Sequence, residues 1–340
     1  MEIRDETYTL HINDLHVQFN LINGTVYASN GINLYVRPGE AVGVGGETGC
    51  GKSVAMKAVM GLLPPEAQIT QGEILYRYAD GWEVDVVKLK KQSEEMLRIR
   101  RKGMSMIFQE PSASLSPLHT VYQQLQEALA GRETMNTRQR TAECIRLLGL
   151  VGISQPERWV KEYPFRLSGG MAQRVMIAQA IAKRPNLLFA DEPTTSLDVT
   201  VQAQVLKLLD DLRKELNMSL VFITHNMGIM AHLTERIYII YLGKVIETAK
   251  TAELFSNPLH PYTKGLIACT PTLSLSKDTR LYNIQGMVLP NDALIHGCYY
   301  YHRCEKVMMG LCDKIPPPEV DYGNEHKVSC HLYPGDVERK

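Results

Sequence analysis

Eight residues, Gly46-Glu47-Thr48-Gly49-Cys50-Gly51-Lys52-Ser53, constrain this chain more than any other feature of it. They satisfy G-x-x-x-x-G-K-[ST], follow the apolar run Ala41-Val42-Gly43-Val44 and precede a helix-like stretch from Val54 to Leu63. That is the strand–loop–helix context which a phosphate-binding loop requires. Its glycines let successive backbone N–H groups turn inward around a β-phosphate, where the next helix presents its positive end. Lys52 reaches the β- and γ-phosphates, and the Ser53 hydroxyl is a ligand for Mg²⁺. Cys50 is unusual in such a loop; it reads as a bystander, sensitive at most to thiol reagents.

The loop needs an α/β framework, and the remaining sequence supplies one. Alternation at Leu10, Ile12, Val17 and Phe19 predicts edge or antiparallel strands near the start. Short apolar runs recur at Ala41 to Val44, Met104 to Phe108, Leu187 to Ala190, Leu220 to Ile223 and Ile237 to Tyr241. Helical stretches separate them, among them Met171 to Lys183 with Met171, Val175, Ala178 and Ala182 on one face. Strands alternating with helices imply a largely parallel sheet. Leu187-Leu188-Phe189-Ala190-Asp191-Glu192 then ends a strand in two adjacent carboxylates, and strand carboxyl ends are where such sheets hold ligands. Asp191 becomes a Mg²⁺ partner and Glu192 the candidate base for an attacking water.

Charge and hydropathy narrow the function classes. The 37 Lys+Arg are cancelled by 37 Asp+Glu, so no basic field is available for non-specific nucleic-acid binding. No apolar run is long enough to cross a bilayer, and MEIRDETYTL has no signal-peptide core. The expectation is a cytoplasmic protein whose membrane connection comes through a partner.

Leu167-Ser168-Gly169-Gly170-Met171, ahead of Ala172-Gln173-Arg174 and a helix, resembles the signature of ABC-transporter nucleotide-binding subunits. Gln109 matches the Q-loop of that family, Ser196-Leu197-Asp198 its D-loop and His225 its switch histidine. The resemblance implies a P-loop NTPase fold of ABC type. It has a RecA-like core with antiparallel β and helical subdomains, spanning residues 1–256, the helical subdomain covering roughly 111–170. It also implies that ATP is sandwiched between the P-loop of one subunit and the signature of another. Ser168 and the amides of Gly169 and Gly170 would then face a γ-phosphate held by the partner's loop. Gln109 would couple the site to the membrane subunits and touch Mg²⁺. An aromatic residue upstream of the P-loop stacks on adenine in this family; Phe19 and Tyr27 both qualify, with a slight preference for Tyr27.

The spacing of 59 residues between Gln109 and Ser168 leaves no room for the long coiled coil of the DNA-repair ATPases. A single P-loop argues against the two-cassette translation factors, and missing membrane spans argue against fused exporters. A separate importer subunit remains. From Asn257 prolines interrupt the periodicity, and Asn257-Pro258-Leu259-His260-Pro261-Tyr262 is similar to the segment after the cassette in oligopeptide/dipeptide/nickel importer ATPases. Residues 257–340 therefore read as a small appended C-terminal domain. Cys298, Cys304, Cys312 and Cys330 are spaced C-x5-C-x7-C-x17-C. The dipeptide-importer branch associates such an arrangement with a [4Fe–4S] cluster, although four thiolates also satisfy Zn²⁺.

What the resemblance implies is an ATPase subunit, peripheral on the cytoplasmic face of the membrane, that energises import of di- or oligopeptides. Its implied partners are a second ABC ATPase subunit (by family habit a heterodimer), two transmembrane permeases and an extracytoplasmic substrate-binding protein. A nickel chelate or oligosaccharide as cargo, and a regulatory module gated by the cysteine site, stay open at this level.

Overall fold

The computed structural model describes residues 8–22, 24–129, 135–195, 197–270, 282–288 and 296–333. Ser196 of the D-loop lies outside the described residues.

The chain opens with two long strands, β1 (Leu10–Leu21) and β2 (Gly24–Val36), joined as an antiparallel hairpin. Strand β3 (Ala41–Gly45) leads into the P-loop and helix α1 (Lys52–Val59). Strands β4 (Ala67–Arg77) and β5 (Glu83–Asp85) return to the hairpin and complete a four-stranded sheet in the order β2-β1-β4-β5. The short helix α2 (Glu94–Arg98) precedes β6 (Met104–Ile107). A helical segment follows, with α3 (Pro111–Ser114), α4 (Val121–Ala128), α5 (Thr137–Leu150) and α6 (Pro156–Trp159). Thr120 and Asn136 close capping boxes that start α4 and α5, each accepting from the N3 amide. The signature opens α7 (Gly169–Ala182), after which β7 (Leu187–Asp191), α8 (Val199–Glu215), β8 (Ser219–Ile223), α9 (Met227–Leu233), β9 (Arg236–Tyr241) and β10 (Lys244–Lys250) follow. Helix α10 (Thr251–Ser256) closes this part, and the C-terminal region contributes α11 (Pro261–Ala268), β11 (Glu319–Asp321) and β12 (Lys327–Ser329).

The second sheet has eight strands in the order β11-β12-β10-β9-β3-β8-β7-β6. Strands β9, β3, β8, β7 and β6 are parallel, and all residues of β3, β7 and β8 are buried, as expected of strands covered on both faces. One face packs with α1 against the antiparallel sheet through Ile12, Leu34, Met56, Ile74 and Phe189. The other packs against α4, α5, α7 and α8 through Leu125, Leu148, Val175, Leu188 and Leu209. Burying one such side chain contributes about 1.5–3 kcal/mol.

The structure departs from the sequence expectations in two helices. The P-loop helix ends at Val59, because Gly61 adopts a left-handed φ of 62°. Helix α7 buries Val175, Met176, Ile177, Ala178, Ala180 and Ile181 and so has no single apolar face. It runs between the parallel sheet and the helical segment, and a helix enclosed on both sides is apolar all round.

Strands β11 and β12 extend the main sheet by antiparallel pairing, Val328 opposite Glu247. A third core joins β9, α9 and α10 to Tyr262, Leu266, Ile284, Cys298, Tyr300 and Cys312. The C-terminal region thus shares both a sheet and a core with the cassette.

Candidate functional site

A pocket of about 420 Å³ opens at the carboxyl end of β3. Val26, Tyr27 and Ala28 of β2 line it, with Thr48 to Val54, Gln109, Glu192, Leu242, Gly243 and Val288. Two glycines make the loop possible. A Cβ on Gly51 (φ +98°) would lie 2.1 Å from the Ala28 carbonyl oxygen, and one on Gly46 (φ +143°) 2.3 Å from that of Ile240. The loop is further tied to its surroundings by the Gly243 N–H, which donates to the Cys50 carbonyl at 2.8 Å. Asn30 Nδ2 donates to the Leu242 carbonyl at 2.7 Å, joining β2 to the same turn.

Lys52 is buried at the loop's centre, where Nζ donates to the carbonyls of Gly46 and Glu47 at 2.8 Å each. The Cys50 thiol is also buried, 3.6 Å from Nζ, and burial pushes its pKa up. The expectation of sensitivity to thiol reagents is therefore corrected: a protonated thiol shut inside the loop is inert.

Ser53 Oγ donates to Asp191 Oδ1 at 2.8 Å. Burial raises the Asp191 pKa, with the Ser53 hydrogen bond pulling against it. A hydroxyl and a buried carboxylate side by side are a hard-oxygen donor pair that fits Mg²⁺.

Glu192 is where the dispersed sequence matches converge. Its φ of +45° turns the chain out of β7 at that residue, a rare conformation for a non-glycine residue and one that concentrates at active sites. The Glu192 N–H donates to the Ile223 carbonyl at 2.9 Å, which fixes that turn against β8. Gln109 Nε2 lies 3.3 Å from Oε2, Thr195 Oγ1 donates to Oε2 at 3.0 Å, and His225 Nδ1 sits 2.9 Å from Oε1. Burial alone would raise the Glu192 pKa, but the bonds from His225 and Thr195 outweigh it and hold the pKa below the usual value. An ionised carboxylate so oriented can accept a proton from water. Thr195 was missed by motif matching; its position three residues after Glu192, in a turn, was the available signal.

Other predicted residues fall elsewhere. Tyr27 lines the pocket, whereas Phe19, in β1 opposite Val26, is not among its lining residues. Leu167 to Met171 are also absent from the lining; Ser168 caps α7, its Oγ accepting from the Met171 N–H at 3.3 Å. Asp198 caps α8, accepting from the amides of Thr200 and Val201 at 3.0 Å each, with Leu197 before it. The signature helix end and the described D-loop residues Leu197 and Asp198 thus lie outside the pocket lining.

The four late cysteines share one corner of the fold. Cys298, Cys312 and Cys330 are buried, and the Cys298 N–H donates to the Cys312 carbonyl at 2.7 Å. Burial pushes the thiol of Cys298 up to about 12 and that of Cys330 up to about 11, neighbouring cysteines adding to each shift. Among the described residues no three His, Cys, Asp or Glu side chains are grouped as ligands of one metal ion. The donor set suits a thiophilic metal in composition, but the thiols would have to close up around it. No helix among the described residues is long and apolar enough to cross a membrane.

The family model for ABC transporters matches residues 29–195, and the model for the oligopeptide/dipeptide transporter C-terminal region matches residues 246–312. The dipeptide transport ATP-binding protein DppD of Bacillus subtilis is 39% identical over 324 residues, spanning 95% of this chain and 94% of that protein. The oligopeptide transport ATP-binding protein OppD of the same organism is 42% identical over 281 residues, covering 82% of this chain and 76% of that one. The dimeric post-hydrolysis state of the ATP-binding cassette MJ0796, bound to ADP and Pi, superposes with a TM-score of 0.62 at 26% identity. That likeness covers 71% of this chain and 98% of the solved one. With P-loop, carboxylate pair and C-terminal region all in place, the chain belongs to the ABC transporter family, among its ATP-binding subunits.

Proposed function

We propose that this chain hydrolyses ATP to energise a multi-component importer of di- or oligopeptides. One observation carries the catalytic part: Gln109, Thr195 and His225 all bond to Glu192, beside the Ser53–Asp191 pair. Lys52 and the loop amides bind the phosphates, and Tyr27 stacks on the adenine. Ser53 and Asp191, with Gln109 near them, are the residues that would hold Mg²⁺, which when bound neutralises phosphate charge. Glu192 orients the attacking water and takes its proton, while His225 holds the carboxylate in place from the other side.

Ser168, Gly169 and Gly170 have no part in this chain's own pocket, so in this reading they complete the site of a second ATPase subunit. ATP then does mechanical work by binding the closed pair better than the open one. The peptide cargo is supported by the relatives' names and by the C-terminal match to the oligopeptide/dipeptide transporter region. The assembly is a heterodimer with a related ATPase on two permeases at the cytoplasmic face of the membrane, supplied by an extracytoplasmic binding protein. Residues 1–256 form the ATPase unit and 257–340 the appended one, where Cys298, Cys304, Cys312 and Cys330 hold a [4Fe–4S] cluster or Zn²⁺ as a structural staple. Anaerobic purification distinguishes these by brown visible absorbance for the cluster and none for zinc.

The test of the function is reconstitution with both permeases, the second ATPase and the binding protein in liposomes. Peptide-stimulated ATP hydrolysis with peptide uptake supports the reading. Hydrolysis indifferent to peptide overturns the cargo, and absence of hydrolysis overturns the enzyme.

A further inference from the structure

Arg303 precedes Cys304 in the cysteine arrangement, but its side chain turns to the phosphate loop and is fully bonded there. Its Nη1 and Nη2 fork onto Glu47 Oε2 and Oε1 at 2.6 and 2.9 Å. Nη1 also reaches Tyr241 Oη at 3.4 Å, Nε donates to the Gln285 carbonyl at 2.8 Å and Nη2 to that of Gly286 at 3.2 Å. A guanidinium has five N–H donors, and these contacts use all of them. The side chain is only 4% exposed. A charge buried that far is retained only where its partners match it, and here the partner is a residue of the phosphate loop.

The same loop residue is held a second time. The Glu47 N–H donates at 2.8 Å to Oη of Tyr262, a fully buried residue in the first turn of α11. Both the backbone and the side chain of Glu47 are therefore anchored on the C-terminal region. The Gln285–Gly286 backbone that Arg303 grips leads directly into Val288, which lines the nucleotide pocket with Val26 and Tyr27. Gly286 adopts φ +76° with the Arg303 side chain packed against it.

We infer that Arg303 is a positioning residue for ATP binding: it clamps the phosphate loop through Glu47 and holds residues 285–288 in place as a wall of the nucleotide pocket. The inference rests on the ATP-site reading and extends that site into the C-terminal region. The fork fixes the side chain of Glu47, which would otherwise be a free carboxylate beside incoming phosphate. The grip on Gln285 and Gly286 sets where Val288 stands. A lysine could keep the charge of Arg303 but not the planar fork.

Titrating the full-length chain with fluorescently labelled ATP, alongside KM and kcat in the assembled transporter, tests this. Arg303→Met and Glu47→Gln are each expected to weaken ATP binding about tenfold, with kcat at saturating ATP held within about twofold, since the lost interaction serves binding alone. Arg303→Lys should fall between them and the parent chain. The double variant Arg303→Met/Glu47→Gln should be no weaker than either single one, because the two residues act as one unit. Val288→Asp, which leaves the fork intact, should also raise KM. A salt bridge with a purely structural role would lower the melting temperature without moving KM. If Arg303→Met fails to fold, Glu47→Gln decides, since it changes no residue of the C-terminal region and is read only in chain shown to be folded. Unchanged ATP affinity in folded Glu47→Gln, or additive losses in the double variant, overturns the inference. Failure of the parent chain to bind ATP overturns the nucleotide-site reading instead.

Discussion

Glu247 should hold the C-terminal region to the cassette, and removing its side chain should release that region locally. The residue lies in β10 and its side chain is 0% exposed. Its carboxylate accepts from the Leu259 N–H at 2.7 Å, from the His260 N–H at 2.9 Å and from His326 Nε2 at 2.8 Å. One side chain thereby fastens both the approach to α11 and the β11–β12 hairpin. A hydrogen bond to a charged group contributes about 1.5–3 kcal/mol. Three bonds on one carboxylate are not independent, and removing it leaves three buried donors unpaired at about 1–3 kcal/mol each. For Glu247→Ala we therefore expect a local loss of about 4 kcal/mol. That corresponds to a fall in amide protection of about a thousandfold at Lys327, Val328 and Ser329. Hydrogen exchange read by mass spectrometry on β12 and α11 peptides measures it, with β7 and β8 as internal controls expected to stay protected. Glu247→Gln keeps an acceptor oxygen and should lose much less. A change below about tenfold in Glu247→Ala would refute the argument, because the three donors would then have found other partners.

Two further outcomes follow from the site and its supports. His225→Ala should lower kcat by about 10²–10³ while ATP affinity stays within a few-fold, as Glu192 loses the contact at 2.9 Å that aims it; steady-state ATPase and nucleotide titration separate the two effects. His260 is buried and its Nδ1 accepts from the Tyr262 N–H, so the folded state needs it neutral, and burial lowers its pKa to about 4. Because the folded value lies below the unfolded one of 6.5, no stability is lost above pH 6.5, and stability falls as pH drops from 6.5 towards 4. The loss at pH 5 is about 2 kcal/mol, and urea unfolding of His260→Gln should lack that slope.

The parts of the site legible in the sequence were those whose chemistry sits in a few consecutive residues. Gly46 to Ser53 and Asp191-Glu192 announce themselves because backbone cradles and strand-end carboxylates are local devices. Their convergence was legible only through resemblance, since Gln109, Glu192 and His225 come from separate loops that the parallel strand order brings together. The bracing of that site was not legible. Glu47 and Arg303 are 256 residues apart, and neither residue type signals a long-range partner. Strands β11 and β12 are three residues each, too short to show alternation, and pair only because β10 offers an edge. Helix α7 defeated a single-face reading because it is enclosed on two sides. The fate of Cys50 depended on burial, which a motif does not report.

The most direct test of the account is the Glu192→Gln variant in the assembled transporter, read by ATP turnover and by the nucleotide retained after rapid desalting. Glutamine keeps the size and the contacts to Thr195 and Gln109 but cannot take a proton. The account predicts turnover lowered at least about a thousandfold, with ATP rather than ADP trapped in a closed pair of ATPase subunits. Turnover at the parental rate, or loss of ATP binding together with turnover, would contradict the assignment of Glu192 as the base.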